Sequence, residues 1–175
     1  MKAADLEDLT LFLLRDADEA DMWIDRWLVS YPIVAHAECR ASKPLTDQRQ
    51  QVAQAFAGID SENVMAVAHG AAVASFMAWY GSLSMREQRR IKGVLLVAPV
   101  QSACQSDSVR YVHLMCGKAA LVIGEQDPHC PSDWAAEQAA LWGVRLLVSP
   151  HQGHLNGMLG GWQWGSKLMQ EMLLA

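Results

Sequence analysis

Short apolar runs alternate with longer amphipathic stretches along the whole chain. The runs Leu9–Leu14, Ile33–Ala37, Val64–Ala68, Val94–Ala98, Ala119–Ile123 and Val144–Val148 are too short for buried helices, and they read as strands covered on both faces. Between them, helical periodicity predicts helices near Asp21–Val29, Thr46–Ala57, Gly70–Tyr80, Ser132–Trp142 and Gly165–Leu174. Thr46 is placed to cap the helix that carries Val52, Ala53 and Phe56, and Ser132 to open the helix that stops at Trp142-Gly143. This alternation predicts one α/β domain over residues 1–175, a Rossmann-like, mostly parallel sheet with helices on both faces. Sites in such sheets lie beyond the carboxyl ends of the strands.

Three segments bring chemistry to that edge. In Val64-Met-Ala-Val-Ala-His-Gly-Ala-Ala-Val-Ala-Ser75 a strand turns into a helix at His69-Gly70, with Ala68 and Ala72 as small flanking residues. A turn of this kind presents the serine of an α/β-hydrolase, in a strained conformation that needs small neighbours; here the position is Gly70. Gly124-Glu-Gln-Asp127-Pro follows the fifth predicted strand, and Gly153-His154-Leu-Asn156 follows the sixth. The order of nucleophile position, acid and histidine is that of an α/β-hydrolase, in which the acid orients the imidazole and the imidazole takes the nucleophile's proton. Ala71 would supply one oxyanion N–H, and His69 and Arg15 border the same space.

Further motifs narrow the resemblance. Ile91-Lys-Gly-Val-Leu-Leu-Val-Ala-Pro99, Asp127-Pro128, Ala139-Ala-Leu-Trp-Gly143, Gly153-His-Leu-Asn156 and Gly160-Gly-Trp-Gln-Trp-Gly165 together resemble the small serine-hydrolase family that includes retinoblastoma-binding protein 9 and the YdeN-type bacterial proteins. The resemblance spans nearly the whole chain and implies an α/β-hydrolase-like domain and, for intact members, hydrolysis of small esters or related acyl compounds. Two places depart from it. Family members carry serine where Gly70 stands, and a glycine-bearing loop where this chain has Arg15-Asp-Ala-Asp-Glu-Ala-Asp21.

Composition adds limits. A chain of 175 residues with 51% hydrophobic residues can bury one substantial core. No run of 18 apolar residues is present, so no membrane span is expected. The acidic start before Leu9 and the short apolar run after it do not make a secretory signal, which points to the cytoplasm. Cys39, Cys104, Cys116 and Cys130 lack CxxC spacing, so neither a disulfide framework nor a metal site is expected, and no cofactor is implied. A net charge of -5 without a basic cluster argues against nucleic acid.

Other residues carry competing readings. Trp23 and Trp27, four apart on the first helix, suit core packing. Trp162 and Trp164 suit either a cleft wall or packing at a helix start. Cys104 and Cys130 lie in loops at the right edge but at no elbow, and Ser75 faces away from position 70. The acidic residues Asp16, Asp18, Glu19 and Asp21 would repel a developing oxyanion if close to it, with Arg15 as an offset. The reading preferred from sequence makes them a solvated face, with Asp21 capping the first helix.

Three functions fit these residues. The first is a non-catalytic hydrolase-fold protein that keeps an Asp127–His154 dyad and binds a small molecule or another protein. The second is a hydrolase of small esters in which His154 activates water beside Gly70. The third is a serine hydrolase whose nucleophile has been altered from serine to glycine.

Overall fold

The computed structural model describes residues 6–175. The chain runs β1 (Leu9–Asp16), α1 (Trp23–Ser30), β2 (Val34–Cys39), α2 (Leu45–Ala57), β3 (Asn63–His69), α3 (Ala72–Tyr80), α4 (Met85–Gln88), β4 (Ile91–Val97), α5 (Asp107–Arg110), β5 (Ala119–Ile123), α6 (Ser132–Trp142), β6 (Arg145–Val148) and α7 (Gln163–Leu174), with 3-10 turns at Gln101–Cys104 and Leu159–Gly161. All six strands pair in parallel in the order β2-β1-β3-β4-β5-β6.

Alternation along the strands divides the core. Phe12 and Leu14 of β1 join Ala66 and Ala68 of β3 on the face covered by α2, α3 and α6, with Phe56, Trp79 and Trp142 filling the layer. Leu11 and Leu13 join Met65 and Val67 on the opposite face, where α1 and α7 bring Trp23, Trp27, Met169 and Met172. Because both faces of β1, β3, β4 and β5 are covered, these inner strands read as nearly continuous apolar runs, whereas the edge strands β2 and β6 carry exposed residues such as His36, Glu38 and Arg145.

The predicted caps are corrected by the geometry. Pro44, not Thr46, is the N-cap of α2, and Pro131 is the N-cap of α6, whose first turn Ser132 opens as expected; neither proline offers a side-chain acceptor to the first N–H groups. Asp21 does not cap α1. Met22 is the N-cap, and its N–H donates to Asp25 Oδ2 at 2.8 Å. Trp162 is not a cleft wall: it is fully buried, with ring centroids 4.5 Å from Trp23 and 6.0 Å from Trp27. Gly165 lets that ring lie flat on α7, because a side chain there would collide with the indole.

The chain passes from β1 to β2 on one side, then returns to β3 on the other. This reversal opens a crevice between the carboxyl ends of β1 and β3. Leu14 pairs with Ala68, so continuing the register sets Asp16 beside Gly70.

Candidate functional site

Gly70 turns β3 into α3 with φ of +61°, a left-handed conformation that costs glycine little and other residues more. A β-carbon built on Gly70 would lie 3.5 Å from His154 Nε2 and 2.9 Å from Asp16 Oδ2. His154 Nδ1 and Asp127 Oδ2 are 2.8 Å apart. An ionised carboxylate can only accept, so Nδ1 carries a proton, and Nε2 is turned toward residue 70. Burial works to raise the Asp127 carboxyl, but N–H bonds from His154 and His129 hold it below the usual carboxylate range. Position 70, acid and histidine thus converge at one edge of the sheet.

The loop after β1 changes that edge most. The sequence reading of Asp16 as part of a solvated face is overturned: the residue is only 5% exposed. By strand alternation its side chain continues the row of Phe12 and Leu14 toward the start of α3. There Oδ2 accepts the Ala71 N–H at 3.0 Å, while Oδ1 accepts the Asp18 N–H. The opening residues of α3, Ala71 to Val73, provide no capping side chain, and Asp16 supplies the missing acceptor from another strand. In acyl-transfer chemistry that same N–H would face the oxyanion.

Arg15 does not border the oxyanion space. Its guanidinium donates to both Asp25 carboxylate oxygens and to the Asp16, Glu19 and Ala20 carbonyls, so it ties the acidic loop to α1. Glu19 reaches the site, with Oε1 at 3.4 Å from His154 Nε2 and Oε2 accepting from Asn156 Nδ2 at 3.1 Å. Sequence reasoning saw Asp16 and Glu19 but not their direction, which depends on the register of two strands distant in the chain.

His69 lies beneath the turn, with Nε2 at 3.0 Å from the His154 carbonyl. Complete burial pushes its imidazole down to about 4 against that hydrogen bond, so the ring is neutral at pH 7. The tryptophans hold the histidine loop. Trp23 Nε1 donates to the Leu155 carbonyl at 2.8 Å and Trp27 Nε1 to the Gly161 carbonyl at 2.9 Å. Ser75 is turned to Gln48, and burial pushes the Cys104 and Cys130 thiols up to about 12, which removes all three as nucleophiles. Five surface cavities among the described residues are lined by residues other than Gly70, Asp127 and His154; one of about 170 Å³ touches Ala71 from the α2 side. No helix among the described residues is long and apolar enough to cross a membrane.

Residues 14–171 match the model of a family described as serine hydrolase. Among solved structures, a YdeN-like hydrolase from Pectobacterium atrosepticum superposes with a TM-score of 0.81 at 19% identity, over 98% of this chain and 94% of that one. The ydeN gene product of B. subtilis gives 0.65 at 13% identity, over 93% and 98%. Est1E from Butyrivibrio proteoclasticus gives 0.67 at 12% identity, over 95% and 87%. A search among curated protein sequences finds no match.

Proposed function

The chain belongs to the serine hydrolase family, and from that membership we propose that it is a member without serine-hydrolase turnover, a binding or regulatory protein that keeps the Asp127–His154 dyad. The observation that carries this reading is the Asp16 carboxylate on the Ala71 N–H, next to a position 70 that has no side chain. Without a hydroxyl at residue 70 no acyl-enzyme forms there. With Asp16 seated, a substrate oxyanion meets a fixed negative charge where it needs a donor. The partner in this reading is a small molecule or a protein, and four unpaired cysteines support a cytoplasmic setting.

One observation favours a second reading. The dyad is assembled, with Nε2 turned toward the space a serine would fill, so His154 could activate water on a small ester. The two are separated by fluorophosphonate labelling together with p-nitrophenyl acetate hydrolysis by wild type and His154→Ala. The proposal expects no labelled serine and equal background rates. Stoichiometric labelling overturns it, and a rate that His154→Ala abolishes moves the assignment to the water-activating hydrolase.

A further inference from the structure

Nε2 of His154 faces a second carboxylate. With Nδ1 donating to Asp127, Nε2 stands 3.4 Å from Glu19 Oε1, so the imidazole lies between two carboxylates. His69 has a ring nitrogen to spare. Its Nε2 faces a carbonyl, which can only accept, so Nε2 carries the proton and the lone pair is on Nδ1. That Nδ1 is buried and has no hydrogen-bond partner among the described residues. One donor atom from each of Glu19, His69 and His154 lies within 4.8 Å of the other two.

Charge points the same way. Asp16, Glu19 and Asp127 gather around these imidazoles, and no lysine or arginine among the described residues forms an ion pair with any of them, since Arg15 is paired with Asp25 and Arg40 with Asp18. A cation in their midst would relieve both the charge and the unpartnered His69 Nδ1.

We propose that Glu19, His69 and His154 form a binding site for one divalent transition metal of the zinc class. Two imidazoles and one carboxylate suit zinc, cobalt or nickel and do not suit magnesium or calcium, which prefer all-oxygen sites. Each ligand is held from behind, as metal-bound histidines and carboxylates characteristically are: His154 by Asp127, His69 by the His154 carbonyl, and Glu19 by Asn156. Bonds near 2.1 Å place tetrahedral ligand atoms about 3.4 Å apart, a spacing the Glu19–His154 pair already has at 3.4 Å, so only the distances to His69, within 4.8 Å, have to close, by about 1.4 Å at most. Spacing along the sequence gives no hint of the site, because its ligands come from the end of β3 and from two loops joined to it only by the fold. This inference goes beyond the absence of acyl transfer and stands or falls separately from it, since its readout is metal and not labelling.

The test uses the full chain stripped with a chelator, then titrated with zinc, cobalt or magnesium by calorimetry and, for cobalt, by visible absorption. One equivalent of zinc is expected, with the intense visible bands of four-coordinate cobalt and no binding of magnesium. Glu19→Gln and His154→Ala should each weaken zinc at least about tenfold, whereas His36→Ala, at an exposed position on β2, should leave it unchanged. Glu19→Gln alters a partly exposed side chain, so it reads out the site even if His154→Ala does not fold. Absent or substoichiometric binding, equal binding of magnesium, or zinc affinity unaltered by Glu19→Gln overturns the proposal.

Discussion

Asp16 Oδ2 lies 2.9 Å from where a β-carbon on Gly70 would stand, so the carboxylate and a side chain at residue 70 compete for one volume. Gly70→Ser should therefore suffer twice, from a φ of +61° and from crowding against Asp16, and should lose about 1–3 kcal/mol in urea denaturation. From the turn alone, serine would be expected to restore probe labelling. With Asp16 seated beside it, labelling should require Gly70→Ser combined with Asp16→Gly. Stoichiometric labelling of the single variant would show that Asp16 does not obstruct the position.

Removing the carboxylate alone has its own signature. Asp16→Ala leaves the N–H groups of Ala71 and Asp18 without their acceptor and should destabilise the fold by about 1–3 kcal/mol. Asp16→Asn, with one carbonyl oxygen for two donors, should fall between alanine and wild type.

Trp23→Phe keeps most of the ring but deletes the N–H that holds the Leu155 carbonyl at 2.8 Å. Stability should drop by about 1–3 kcal/mol, and hydrogen exchange should quicken selectively in residues 153–157, which would show that the indole positions the histidine loop.

Acid should weaken the fold before its carboxylates titrate. His69 is held at about 4 against 6.5 for the free group by its burial, and His154, Asp16, Asp127 and Glu19 are the titratable groups around it. Below pH 6.5 the unfolded chain takes up a proton that the folded chain refuses, so stability falls with pH. The loss approaches about 3 kcal/mol near pH 4, at 1.36 kcal/mol per unit. Asp127, whose folded value is depressed, removes further stability only as pH falls below the ordinary carboxylate range. Urea melts in chelator at pH 7, 5.5 and 4 should show this slope, and His69→Gln should flatten its upper part.

Breaking the guanidinium clamp should loosen the acidic loop. Arg15→Ala deletes bonds to Asp25 and to three carbonyls and should cost about 1–3 kcal/mol. Arg15→Lys should rescue little, because one ammonium cannot reproduce a planar fork. Thermal denaturation of the two variants makes the comparison.

The sheet was legible because strands covered on both faces must be apolar throughout, so Leu9–Leu14 and Val64–Ala68 announce themselves. The turn at Gly70 and the loops of Asp127 and His154 were legible because each follows such a run directly. Asp16 was not, since an acidic residue just past a strand looks solvated until the pairing of Leu14 with Ala68 fixes what stands beside it. Trp162 had equal local reasons to wall a cleft or to pack. Burial under Trp23 and Trp27 decided it, and that depends on how α1 crosses the sheet. Arg15 misled in the opposite way: its charge suggested an oxyanion partner, while its reach was spent on α1.

The exclusion between positions 16 and 70 also couples their substitution. A side chain at 70 and the Asp16 carboxylate in its present place cannot both be held without displacement, so an exchange at either position is felt at the other. Once Asp16 caps α3, any return to a residue with a β-carbon at 70 passes through a crowded intermediate. The two positions therefore act as one unit, in which a change at 70 is read fully only together with a change at 16.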